Sequence, residues 1–215
     1  MTEKIFWSNP YQTHLRSKVV RIEGKQIELS HTIFYAESGG QESDRGTISG
    51  IQVMEAKKEA TRIIYTLASE PDWSEGDEVE TQIDWERRYA LMKLHFAAEI
   101  VLELFTQRFE KIIKIGAHIS EDKSRIDFEW PESIGPVLTD IQVHSQKMID
   151  SDLPIFSGFS DEEKERRYWK IDHFAQVSCG GTHLRKTSEI GKIKLKRKNI
   201  GKGKERVEIT LMASI

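Results

Sequence analysis

The sequence predicts an α+β protein in two parts, a small N-terminal β-barrel over residues 1–84 followed by an α+β sandwich over residues 85–215. Three observations predict this class. The first part holds five or six short runs of branched and aromatic residues bounded by Gly, Pro or charged turns, the pattern of a small barrel. One long segment with apolar positions at helical spacing follows it. Beyond that segment, strands interleave with a second helix, as in a layer of helices on a sheet.

In the first part the expected strands cover residues 18–22, 26–29, 47–55, 60–67 and 79–83. Glu23-Gly24-Lys25 supplies the turn of the first hairpin, and Ala56-Lys57-Lys58-Glu59 reads as a polar loop between two later strands. Pro71, Gly76 and their acidic neighbours mark a connection. Asp84 is a plausible N-cap, and Leu91, Leu94, Ala98, Val101, Leu102 and Phe105 recur at helical spacing, so a helix is expected over residues 85–105. Strands are then expected over 112–119 and 125–130, a helix over 138–149, a strand near Ile155 and a short charged helix from Ser160. Residues 192–198 alternate as a strand with one charged face. Gly201-Lys202-Gly203 turns the chain into a return strand over 206–212. No internal repeat or low-complexity tract appears.

Composition excludes several classes. With 38% apolar and 9% aromatic residues the chain can bury a real core. A single cysteine rules out an intramolecular disulfide framework, and the first thirty residues lack a secretion signal, so a cytoplasmic location is the default. No apolar run approaches the roughly 18 to 20 residues of a membrane helix. The formal charge of −3 argues against a generic nucleic-acid binder, but the charge is unevenly placed. Between Arg185 and Arg206 ten lysines and arginines stand against Glu189 and Glu205. This strip, with Lys194, Lys196 and Lys198 on one face, is either a solvated edge hairpin protected from aggregation or a surface for a phosphate backbone.

The chemistry concentrates in few places. Cys179-Gly180-Gly181-Thr182-His183 sets the only cysteine four positions from a histidine, and a thiolate and an imidazole on one tight turn make half of a zinc site. The other half is expected from His95, with Glu99 one helical turn later on the same face. A second unusual segment, Thr32 to Gln41 followed by Asp44-Arg45-Gly46, contains Gly39-Gly40 beside polar residues and would let a backbone approach a ligand. Taken alone it reads equally well as a loop between strands.

These segments, with Gly116-Ala117-His118-Ile119-Ser120 and Arg125-Ile126-Asp127-Phe128, occur in the order found in the editing region of alanyl-tRNA synthetases. The chain resembles the free-standing editing proteins of the AlaX family, in their medium-sized form, over nearly its whole length. The resemblance implies that the second part is an editing domain of the threonyl/alanyl-tRNA synthetase second additional domain type. It also implies a zinc-dependent esterase that deacylates mischarged alanine tRNA in trans, carrying serine chiefly and glycine as well. A pocket shaped for alanine rejects either amino acid by only about 1 to 3 kcal/mol, so a second hydrolytic sieve has work to do.

By the same resemblance His95, Cys179 and His183 are metal ligands, Thr32 faces the substrate side chain, and Gly39, Gly40 and Gln41 order their loop against the pocket. His118 lies in the segment resembling the pocket wall, near substrate or bound water. Lys194, Lys196 and Lys198, with the barrel, would read the acceptor stem of the tRNA by shape. The chain departs from the family pattern at Glu99, where a second helix histidine is expected. Three readings stay open: Glu99 is the fourth zinc ligand, lowering the charge of the centre; it is a general base beside a water in the fourth position; or it has abolished the site. There is no Gly-x-Ser-x-Gly elbow, which argues against a serine nucleophile. Two rival classes remain, a metallohydrolase of small esters or amides and a non-catalytic zinc-containing RNA-binding protein. Oligomeric state is not set by the sequence.

Overall fold

A computed structural model describes residues 2–212. Residue 1 and residues 213–215, the outer ends of the two expected parts, lie outside the described residues. The chain divides into two compact units, Met1–Tyr89 and Ala90–Ile215. Strands dominate both, so the fold is mixed α and β with few helices.

The first unit contains β1 (Glu3–Lys4), α1 (Ile5–Ser8), β2 (His14–Glu23), β3 (Gln26–Leu29), β4 (His31–Thr32), β5 (Gly46–Ile48), β6 (Ile51–Glu59), β7 (Arg62–Leu67) and β8 (Glu78–Ile83). Strands β2, β3, β7, β6, β5 and β8 pair in that order and close into a barrel. Two long strands make closure possible by changing partner part-way. β2 pairs with β8 through His14 to Lys18 and then with β3, and the register shifts around Val20. β6 pairs first with β5 and then with β7, with a shift around Met54. An extra residue bends a strand and increases its twist, which explains why Val20 and Met54 point outward at 55% and 66% exposure. The enclosed side is filled by Ile27, Ile48, Ile63, Tyr65 and their neighbours.

The second unit holds most of α2 (Trp85–Arg108), then β9 (Ile113–Ile119), β10 (Ser124–Glu129), α3 (Gly135–Asp150), β11 (Phe156–Asp161), β12 (Arg166–Ile171), β13 (Ala175–Ser178), β14 (Ile193–Gly201) and β15 (Lys204–Leu211). An antiparallel sheet runs in the order β14-β15-β10-β9, and a second in the order β11-β12-β13. Helix α2 is apolar nearly all round from Leu91 to Val101, as a helix enclosed on every side must be. Leu91 and Leu94 pack with Ile119, and Phe105 meets Phe128 at 5.0 Å, on the four-stranded sheet. Phe96 meets Trp169 of the three-stranded sheet edge-on at 5.2 Å.

Helix α3 closes the rim of β14 with side-chain amides. Gln142 accepts from the Leu195 N–H at 2.6 Å and donates to the Ile193 carbonyl at 2.9 Å; Gln146, one turn on, accepts from the Ile193 N–H at 3.0 Å. The two glutamines stand in for a neighbouring strand.

Three sequence expectations are corrected. Residues 47–55 are not one strand, because Ser49-Gly50 forms a two-residue turn between β5 and β6. Residues 56–59 are not a loop: they continue β6, held by ladder bonds to Arg62 through Tyr65 despite their polarity. No helix starts at Ser160. Ser160 and Asp161 end β11, Asp161 accepts from the Lys164 N–H at 3.0 Å to fix a turn, and the chain returns as β12. The helix propensity of the acidic run yields to strand pairing on either side. Among the described residues no helix is long and apolar enough to cross a membrane.

Candidate metal centre

Helix α2 and the turn after β13 bring three donors together. Cys179 Sγ lies 3.3 Å from His95 Nε2 and 3.3 Å from His183 Nε2, and the three donor atoms are all within 4.8 Å of one another. Ligands held at the usual zinc distances on a tetrahedron stand about 3.3 to 3.6 Å apart, so two edges of the group already have the spacing a single zinc ion needs. Glu99 lies outside this three-residue group, but its Oε1 is 3.3 Å from His95 Nε2, and its Oε2 accepts from the Trp169 indole N–H at 2.9 Å.

The three-stranded sheet supports these groups through its register. Ser157 stands opposite Trp169, and Phe159 opposite Arg167, so the four share one face. From that face the Ser157 hydroxyl bonds His183 Nδ1 at 2.7 Å, which leaves Nε2 for the metal. Arg167 pins the cysteine turn at two points: its carbonyl accepts from the Cys179 N–H at 2.9 Å, and its guanidinium donates to the Gly181 carbonyl at 3.3 Å.

Electrostatics follow from burial and sign. Burial alone would lower the His95 imidazolium, but the Cys179 charge and hydrogen bond, with Glu99 behind them, raise it to about 10. Burial would raise the Glu99 carboxyl, yet His95 and the Trp169 N–H bring it down to about 2. His183 is held well below the ordinary imidazole value by burial and then by the charge on His95, so it stays neutral. A thiol and two imidazoles converging in a buried site, with a carboxylate beside them, are donors of the kind a divalent cation such as zinc takes. The donor set fits a metal ion.

The other expected site residues fall into separate places. In the first unit the Thr32 side chain is fully buried, and its hydroxyl oxygen accepts from Tyr65 Oη at 2.5 Å and from the Phe34 N–H at 2.9 Å. Gly39 and Gly40 are the two central residues of a tight turn, with φ of 62° and 86°, closed by paired backbone bonds between Ser38 and Gln41. Both positive values fit the mirror-image turn that glycine makes without strain. Gln41 is buried beneath it. At Gly46 any Cβ would sit 2.1 Å from the Gln82 carbonyl oxygen, so that position admits only glycine. His118 lies half-buried on β9 opposite Arg125 and outside the donor group. Lys194, Lys196 and Lys198 project from one exposed face of β14, opposite Thr210, Glu208 and Arg206. Because Arg206 pairs with Asp127, and Arg125 with both Glu208 and His118, His118 is on that same face.

Comparison with known proteins places these pieces in one lineage. The sequence model of class II tRNA synthetases (A) matches residues 3–87, and that of the threonyl and alanyl tRNA synthetase second additional domain matches residues 172–208. The alanyl-tRNA editing protein AlaX-M of Pyrococcus horikoshii is 34% identical over 223 residues, an alignment covering 98% of each chain. The chain belongs to the AlaX family of alanyl-tRNA editing proteins. Alanine-tRNA ligases of Methanococcus maripaludis and Pyrobaculum arsenaticum are 32% and 29% identical over 96% and 91% of this chain. It spans about a quarter of those synthetases, 26% and 25% of their lengths. Within the family frame, Thr32 and the Gly39-Gly40 turn fall in the first matched stretch, and Cys179, His183 and the three lysines in the second. His95, Glu99 and His118 lie between them. So do Ser157, Arg167 and Trp169, which the sequence reading did not single out.

Proposed function

We propose that the protein is a trans-editing hydrolase that deacylates mischarged alanine tRNA, with seryl-tRNA(Ala) the chief substrate and glycyl-tRNA(Ala) a second. The observation that carries this reading is the convergence of His95, Cys179 and His183 at zinc-ligand spacing in a chain of the AlaX family. In this reading residues 1–84 form the barrel domain and residues 85–215 the editing domain, and the protein acts in the cytoplasm.

His95, Cys179 and His183 would hold a zinc ion. When bound it supplies Lewis acidity toward water or the ester carbonyl. Glu99 is assigned as general base rather than ligand. The Trp169 indole N–H holds Oε2 at 2.9 Å, and Oε1, 3.3 Å from His95 Nε2, is the oxygen left beside the metal position to accept a proton from an attacking water. Ser157 orients His183, and Arg167 keeps the turn that carries Cys179 in place. With its thiolate committed as a ligand, Cys179 is no nucleophile. Thr32 would meet the serine hydroxyl: its oxygen already accepts two hydrogen bonds, so it has its proton to offer. Gly39, Gly40 and Gln41 would shape the loop at that end, and His118 would contribute to the pocket wall. Lys194, Lys196 and Lys198 would contact the acceptor-stem backbone.

The test is loss of ester from seryl-, glycyl- and alanyl-tRNA(Ala) with the purified protein, with and without a chelator. Chelator-sensitive deacylation of the seryl and glycyl species that spares alanyl-tRNA is expected. No deacylation by zinc-loaded protein rejects the reading.

A further inference from the structure

Strand β11 carries an aromatic ring beside the metal centre that none of the roles above uses. Side chains alternate along a strand, so Ser157 and Phe159 share one face and Phe156 and Gly158 the other. Ser157 touches His183, which sets this face of β11 directly beside the donor group. Two residues along it, the Phe159 ring is 38% exposed and lies against the Arg167 guanidinium, 5.2 Å from its centroid. Arg167 is itself almost enclosed and reaches back to the Gly181 carbonyl. The result is a cation-backed ring, open to solvent, continuous with the turn that holds Cys179.

We propose that Phe159, backed by Arg167, is the stacking platform for the terminal nucleoside of the aminoacylated RNA. This rests on the deacylase reading and deepens it. An ester at the 3′ end can reach the metal centre only if the nucleoside carrying it is held close by. Single-stranded nucleic-acid ends are gripped by stacking on aromatic and guanidinium planes. The buried Arg167 cation also favours the anionic phosphodiester on the 5′ side of the terminal nucleoside. Phe156 is 50% exposed on the opposite face of the same strand and serves as the internal control.

The probe is 3′-(L-seryl)amino-3′-deoxyadenosine, an amide that is not turned over as an ester, titrated against zinc-loaded protein by calorimetry beside steady-state deacylation of seryl-tRNA(Ala). Phe159→Ala should weaken probe binding and raise KM by about tenfold, within the range for one stacked base, with kcat changed less than twofold. Phe159→Tyr should restore both, Phe159→Leu should not, and Phe156→Ala should leave both unchanged. Equal binding and KM in wild type and Phe159→Ala, or an equal loss in Phe156→Ala, overturns the platform. So does a wild-type protein that binds no probe. If the wild type binds the probe through Phe159 yet deacylates nothing, the platform stands and the deacylase reading falls.

Discussion

Arg88 and Asp44, 44 positions apart, form a fully enclosed two-pronged ion pair, with Nε 2.8 Å from Oδ1 and the second prong on Oδ2. Arg88 also donates to the Pro10 and Ile33 carbonyls at 2.9 and 2.6 Å, and Asp44 accepts from the Tyr35 N–H at 2.6 Å. One guanidinium thus gathers the segment bearing the Gly39-Gly40 turn onto the first turn of α2. Removing one partner strands a buried charge, which costs about 3 to 5 kcal/mol. Arg88→Met and Asp44→Asn should each lose that much in denaturant unfolding, and the double variant should lose less than the sum. Single losses below about 1 kcal/mol would contradict the assignment.

Glu99→Gln separates the roles of that carboxylate. As a base, its loss should lower kcat by about 100-fold or more while cobalt-substituted protein keeps its thiolate absorption band. Loss of the metal along with activity would instead make Glu99 a ligand.

Thr32→Val removes the acceptor of the buried Tyr65 hydroxyl. An unsatisfied buried donor costs about 1 to 3 kcal/mol, so the melting midpoint should fall. Rates on seryl-tRNA(Ala) should drop more than those on glycyl-tRNA(Ala), whose amino acid has no hydroxyl to contact. An equal drop on both would leave Thr32 a structural role alone.

Replacing Lys194, Lys196 and Lys198 with glutamate should weaken tRNA binding and flatten its salt dependence. Three lost phosphate contacts would reduce the slope of log K against log salt by about 2 to 3. A dissociation constant unchanged across this series would remove the hairpin from RNA recognition.

Asp127 is flanked by Arg125 and Arg206, with Arg206 Nε 2.7 Å away. Burial would raise its carboxyl, but the hydrogen bond from Arg206 and the charges of both arginines hold it below the usual value. A depressed folded-state value stabilises the fold at pH above the ordinary aspartate range, about 3.9, and that contribution is lost as pH falls below it. Asp127→Asn should therefore unfold more easily than wild type at pH 7, and the gap should close below about pH 3.9. A gap that persists undiminished at lower pH would show that packing, not charge, is responsible.

Sequence and structure agree where the information is local. The Cys179 to His183 turn is fixed by its own spacing, and Glu99 is beside His95 because four helical residues return to the same face. What was not legible depends on register between distant strands. Trp169, Ser157 and Arg167 reach the centre only because β11 pairs with β12, and that hairpin was obscured by the acidic run 161–165, which reads as helix. The alternation in Arg167-Tyr168-Trp169-Lys170-Ile171 was the available signal, with residues 167, 169 and 171 buried. The Arg88–Asp44 pair leaves no local trace at all, since neither residue type nor spacing marks two partners so far apart.

The paired glutamines of α3 give the basic hairpin a fixed ruler. Gln142 and Gln146 pin the Ile193–Leu195 end of β14, which fixes the strand in register and closes that part of its outer rim to a strand from another molecule. The ammonium groups therefore start from anchor points spaced about 6.6 to 6.8 Å apart along a track that does not shift. A polyanion laid across it meets the same spacing of positive charge at every encounter.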